Sequence, residues 1–192
     1  MIYLDHQATT PLAPEAREAM LRWLGGPESE GFGNPHSPHR LGRLAHAAVG
    51  VARADVAALF PPGGQVIFTS GATEALNLAL RGLPGSGPIA VSAIEHAAVR
   101  DTARAVGPVQ ELAVDAEGIC QPDQTLAPGT RAVAVMQVNN EIGTVQPLAQ
   151  WHDRARAAGA LLLVDAVQAY GKLPLAEADL IAVSAHKLYG PK

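Results

Sequence analysis

Apolar positions follow one rhythm up to about residue 60 and another beyond it. Residues 15–24 carry Ala16, Ala19, Met20, Trp23 and Leu24 at helical spacing, after Pro11 and Pro14 and before Gly25-Gly26-Pro27. Residues 27–38 are rich in Gly, Pro, Ser and Asn and predict a loop. Residues 41–60 are Ala-rich with helical period and stop at Pro61-Pro62-Gly63-Gly64. From Gln65 onward short apolar runs alternate with helical stretches. The runs predict strands over 66–69, 88–92, 111–114, 132–138, 161–165 and 180–183. Helices are predicted between them over 73–81, 96–106 and 149–158. Such alternation implies an α/β fold, three-layer α/β/α, with a mostly parallel sheet covered on both faces. Ligands in such sheets sit beyond the carboxyl ends of the strands.

The 192 residues are enough for one domain with a substantial core, and 48% hydrophobic with 17% charged residues is globular composition. Aromatics make up only 4%, so Ala, Leu and Val must build the core. A net charge of -4 argues against a nucleic-acid surface as the main function. No apolar run approaches the roughly 18 residues of a membrane span, and the start, Met1-Ile2-Tyr3-Leu4-Asp5-His6, has no signal-peptide pattern. A cytoplasmic location is therefore expected. The single cysteine, Cys120, excludes an intrachain disulfide and a Cys-based zinc site.

Polar residues cluster just after the predicted strands. Val183-Ser184-Ala185-His186-Lys187 delivers two hydrogen-bonding side chains and an amine into a Gly-Pro loop. Upstream, Leu161-Leu162-Leu163-Val164-Asp165 ends a buried strand in a carboxylate. A Schiff-base lysine with a carboxylate for a pyridinium nitrogen is what pyridoxal phosphate (PLP) chemistry requires. Thr69-Ser70-Gly71-Ala72-Thr73-Glu74 leads into a helix whose first N–H groups, with the Thr73 hydroxyl, suit a phosphate; an ordinary capped helix reads the same way. His96 suits stacking on a planar group and proton transfer, or equally capping and packing. Asn139-Asn140 implies either a ligand or a tight turn. Asp165 is a helix cap or a pyridinium partner, with Gln168 able to donate to a ring oxygen. Five such signals at strand ends of one alternating fold point to a common site.

Read in order, these segments resemble a cysteine desulfurase of the NifS/IscS type, a PLP enzyme of the aspartate-aminotransferase fold. The resemblance rests on Tyr3-Leu4-Asp5, Ala8-Thr9-Thr10-Pro11, Gly33-Asn34-Pro35 with His39 and Gly42, and Thr69-Ser70-Gly71-Ala72-Thr73-Glu74-Ala75. It continues through Glu95-His96, Asn139-Asn140-Glu141-Ile142-Gly143, Asp165-Ala166-Val167-Gln168 and Ser184-Ala185-His186-Lys187. It implies that Lys187 carries PLP and that His96 stacks on the ring and takes part in acid–base steps. Asp165 resembles the pyridinium partner, Gln168 the donor to the phenolic oxygen, and Asn140 the amide near that oxygen. Ala72 (backbone), Thr73, Ser184 and His186 are similar to phosphate-binding positions. The implied reaction converts L-cysteine to L-alanine and leaves sulfur as a persulfide on an enzyme cysteine. It further implies a homodimer and a sulfur-acceptor or scaffold protein serving iron–sulfur cluster assembly or thiolated products.

The family's persulfide cysteine, its substrate-carboxylate arginine and its small domain all follow the lysine, and none falls within residues 1–192. The expected organisation is thus an N-terminal arm plus a PLP-binding large domain, incomplete at its C-terminus and without independent activity. The alternatives are a non-catalytic, partner-dependent PLP-binding chain, or a related lyase or aminotransferase. Cys120 does not match the catalytic cysteine and reads as a structural thiol. His36, His39 and His46 lack the company of a metal site. Arg40, Arg43 and Arg53 are expected to line a solvated helix face.

Overall fold

The computed structural model describes residues 2–192, which divide into two compact units. One comprises the residues up to Phe68 together with Ala185–Lys192; the other is Thr69–Ser184.

In the first unit, α1 (Pro14–Leu21) has proline in its opening turn, where a missing N–H costs nothing. It ends earlier than its apolar spacing predicts. The Trp23 and Leu24 N–H groups bond three residues back, to Met20 and Leu21, so the chain tightens ahead of Gly25-Gly26-Pro27. A single 3₁₀ turn, Glu30–Phe32, is capped by the Ser29 hydroxyl, which accepts from the Gly31 N–H at 3.0 Å. α2 (Arg40–Ala57) is capped by His39, whose Nδ1 accepts from the Gly42 N–H at 3.2 Å. Gly42 is required there: a Cβ would lie 2.2 Å from the Ser37 carbonyl oxygen and 2.8 Å from that of Asn34. His39 is therefore a capping residue. Arg40 pairs with Glu30. Arg53 departs from the expected solvated role, because its guanidinium lies over the Phe68 ring at 4.8 Å and donates to the Val66 carbonyl.

Residues 66–69, predicted as a strand, form none. No described strand pairs with them, and β-favouring side chains do not hold a strand without a ladder partner.

In the second unit, β1 (Ile89–Ser92), β2 (Val109–Leu112), β3 (Ala132–Ala134), β4 (Leu161–Asp165) and β5 (Leu180–Ala182) form one sheet, ordered β2-β1-β3-β4-β5. All four pairings are parallel. Period-2 alternation divides the side chains between two cores. Ile89, Val91, Ala132, Ala134 and Leu163 face α3 (Ala72–Gly82) and α4 (Ala97–Val106), packing on Leu76, Leu80, Val99 and Ala103. Ala90, Val133, Leu162 and Val164 face the other way and pack with Trp151 and Ala155 of α5 (Leu148–Ala157). The three-layer α/β/α arrangement follows. The crossover through α4 carries the chain from β1 outward to β2, whereas that through α5 carries it from β3 to β4 in the opposite direction. Right-handed crossovers running opposite ways place their helices on opposite faces. The reversal lies between β1 and β3, and their carboxyl ends form the topological switch point. Among the described residues no helix is long and apolar enough to cross a membrane.

Candidate functional site

β3 is shorter than the predicted 132–138, for a reason that matters at the switch point. Beyond Ala134 the Val135 and Gln137 N–H groups still bond toward β4, to the carbonyls of Leu163 (3.2 Å) and Asp165 (2.9 Å). The intervening Met136 N–H faces the β1 side, where β1 has already ended at Ser92. Its acceptor is a side chain: Oε1 of Glu95, at 2.6 Å. Glu95 is 3% exposed, and its Oε2 is buried without a hydrogen bond. Burial pushes its carboxyl up to about 8, against the Met136 hydrogen bond; the Asp165 charge adds to the rise, and Ser92 and Arg100 oppose it.

His96 follows directly as the cap of α4, Nδ1 accepting from the Ala98 N–H at 3.1 Å. That bond places the neutral ring's proton on Nε2. The residue is exposed, so capping leaves the ring available for a second role.

The two asparagines divide the alternatives between them. Asn139 is buried and fully engaged: its amide donates to the Ile94 carbonyl at 3.0 Å, and its Oδ1 accepts from the Glu141 and Ile142 N–H groups. It builds the turn. Asn140 is half-buried and has no such side-chain bonds among the described residues.

Asp165 ends β4 at 6% exposure, its Oδ1 accepting from the Val167 N–H at 3.0 Å. No helix follows, so it is not a helix cap. Gln168 is buried in the turn that does follow. At the start of α3, Gly71 is the N-cap and provides no side chain for the first N–H groups. Glu74 reaches back to the Ser70 N–H at 2.5 Å, outside the helix, and so leaves the N–H groups of Ala72 and Thr73 uncapped. A Cβ on Gly71 would stand 4.0 Å from the Ser184 hydroxyl, and Ser184 is buried. An uncapped helix start beside a buried hydroxyl is a cradle for an anion, which fits the phosphate of PLP.

His186 and Lys187 belong to the first unit, in a 3₁₀ turn Ala185–Lys187. His186 Nδ1 lies 3.1 Å from the Thr9 hydroxyl, and the His186 carbonyl accepts from the Thr10 N–H and hydroxyl at 2.8 and 2.9 Å. Burial, then the Lys187 and Lys192 charges, hold the His186 imidazole below its usual range. Half-buried Lys187 donates to the Gln7 carbonyl. Tyr189 adopts φ 56°, a left-handed conformation costly for a residue with a Cβ, held by its N–H to the Thr10 hydroxyl at 2.6 Å.

Cys120 is fully buried: its N–H donates to Gln146 Oε1 and its carbonyl accepts from the Trp151 indole, both at 2.8 Å. Burial pushes the thiol up to about 11. It is a core residue and not a nucleophile. No cluster of metal-binding side chains occurs among the described residues.

The second unit is thus a parallel α/β sheet with an anion cradle, a carboxylate and an imidazole at its strand ends, and the first unit carries a lysine turn braced by the N-terminal segment. The chain belongs to the class-V aminotransferase family, whose model matches residues 2–192. It is 40% identical over 209 residues to a cysteine desulfurase IscS of Klebsiella pneumoniae subsp. pneumoniae, with 100% of the chain and 51% of that protein covered. It is 41% identical over 209 residues to the cysteine desulfurase IscS of Psychromonas ingrahamii, with the same coverage. Among solved structures, that of SspA in complex with cysteine superposes with a TM-score of 0.90 at 32% identity, covering 100% of this chain and 59% of that one. The chain thus spans about half the length of the curated relatives it matches.

Proposed function

We propose that this chain is the cofactor-holding part of a PLP-dependent cysteine desulfurase, an N-terminal arm with the large domain. The observation that carries the reading is the uncapped start of α3 beside the buried Ser184 hydroxyl, in the unit whose strand ends also present His96, Asn140 and Asp165. The cysteine desulfurase relatives supply the substrate class.

Ala72, Thr73, Ser184 and His186 would hold the phosphate, Asp165 the ring nitrogen, Gln168 and Asn140 the phenolic oxygen, and Lys187 the carbonyl carbon. PLP, when bound, supplies an electron sink for charge released at the substrate Cα. Lys187 takes the Cα proton of cysteine, and His96 carries its mobile proton on Nε2. In sum, cysteine and an enzyme thiol give alanine and an enzyme persulfide: the carbon–sulfur bond breaks, a sulfur–sulfur bond forms, and the thiol proton balances the new C–H bond. Cys120, buried and held as a thiol, does not take the sulfur. That observation favours a second reading for residues 1–192 alone, a PLP-binding chain that needs a thiol from elsewhere. The full reading includes a cytoplasmic homodimer delivering sulfur to an acceptor or scaffold protein.

The test is borohydride reduction of PLP-loaded protein, followed by peptide mass analysis. PLP is expected to be trapped on Lys187 and absent from a Lys187→Ala variant. Alanine formation from cysteine, with and without an added thiol, then separates desulfuration from binding alone. Absence of trapped PLP on a folded protein refutes both readings.

A further inference from the structure

Glu95 takes no part in the chemistry set out above, yet it is a buried ionisable side chain at the switch point of the sheet. It follows β1 and precedes His96; its partner, Met136, follows β3 and precedes Asn139 and Asn140. A second bond ties the same segments, the Asn139 amide donating to the Ile94 carbonyl at 3.0 Å. We propose that Glu95 is a positioning residue, whose carboxyl replaces the missing β1 ladder at Met136 and so holds the His96 turn in register with the Asn139-Asn140 turn. The proposal deepens the PLP reading, and rests on it where cofactor binding is concerned.

The geometry also requires the neutral acid. Oε2 is buried without a hydrogen bond, and an ionised carboxylate left so would carry the full cost of an unpaired buried charge. Of the groups around it, Asp165, at the end of β4, favours the neutral acid, whereas the Ser92 hydroxyl and Arg100 favour the charged one and are outweighed by burial. Cys120, whose titration Glu95 in turn opposes, is itself held as a thiol. Among the described residues Arg100 on α4 is the cation whose charge reaches Glu95, and no ion pair joins the two. Neutral Glu95 leaves Asp165 without a second carboxylate charge from behind it, as suits a partner for a cationic ring nitrogen. The carboxyl accepts from Met136 through Oε1 in either state, but its ionisation would set two carboxylates against each other behind the site.

The experiment compares wild type, Glu95→Gln and Glu95→Ala, all as the full chain. Glutamine keeps the acceptor and mimics the neutral acid; alanine removes the tether. The Met136 amide proton in wild type is expected to shift downfield with an apparent midpoint well above an ordinary carboxyl, and in Glu95→Gln not to titrate. The His96 ring and Asn140 amide signals should move in Glu95→Ala and return in Glu95→Gln. PLP affinity should fall about tenfold in Glu95→Ala and stay within about twofold of wild type in Glu95→Gln, the difference expected for one lost hydrogen bond. A Met136 amide that titrates near an ordinary carboxyl value, or His96 and Asn140 signals unmoved by Glu95→Ala, overturns the proposal. Should Glu95→Ala not fold, an altered His96 signal or PLP affinity in Glu95→Gln near neutral pH overturns it instead. If no variant and no wild type binds PLP while the resonances behave as stated, the tether stands and the cofactor reading fails.

Discussion

Two buried acids in the second unit, Glu95 and Cys120, are held protonated by the same cause, loss of water around the charged form. Their roles diverge because of what each touches. Cys120 is enclosed by apolar side chains with its backbone bonded to Gln146 and Trp151, so the thiol fills space. At pH 8 its alkylation in the folded protein should be slower than that of an exposed cysteine by about two orders of magnitude or more, from thiolate depletion alone. Rapid labelling of native protein would contradict its placement in the core. Cys120 already reads as a structural thiol in the sequence, whereas the environment of Glu95 was not readable there. Glu95 stood there only as the neighbour of His96, because a side chain that completes a broken ladder shows no period or spacing. Asn139 was equally hidden: consecutive asparagines look alike until one is seen to build the turn.

At the scale of elements, local chemistry was more informative. The caps, prolines and glycines placed most helix boundaries within a few residues, since each acts on its own turn. Gly42 shows how tightly one such position is specified. Its Cβ would meet two carbonyl oxygens of the preceding loop, which are backbone and cannot swing aside. Gly42→Ala should cost about 2–3 kcal/mol of overpacking, read as a lower urea midpoint at unchanged slope. Gly50, also on α2, has nothing within 4 Å of its Cβ, and Gly50→Ala should be stabilising. Equal effects at the two positions would contradict the loop packing. The predicted strand at 66–69 marks the limit of local reasoning. Val66, Ile67 and Phe68 favour a strand, but pairing is decided by a partner elsewhere in the chain.

For the molecule as a whole, two titrations give stability a defined pH dependence. Glu95 has a folded value near 8, above its ordinary 4.5, so its contribution is complete below pH 4.5 and is lost as pH rises to about 8. His186 lies below its ordinary 6.5, so its contribution is present above that value and is lost as pH falls through its folded value. Thermal denaturation should therefore show stability falling between pH 6.5 and 8 in wild type and level over that window in Glu95→Gln. His186→Asn should flatten the decline on the acid side. A wild-type profile that rises from pH 6.5 to 8 would contradict the burial of Glu95.

The sequence by itself determined the class of fold, the order of its elements and the positions after strands where chemistry-bearing residues collect. Those features follow from periodicity and local turn preference, which act over a few residues. Only the tertiary structure decided which of two asparagines builds the turn, that Asp165 caps no helix, that Ser184 stands beside the bare start of α3, and that Glu95 finishes the ladder between β1 and β3. These depend on contacts between residues far apart in the chain, where burial turns an ordinary carboxyl into a neutral tether.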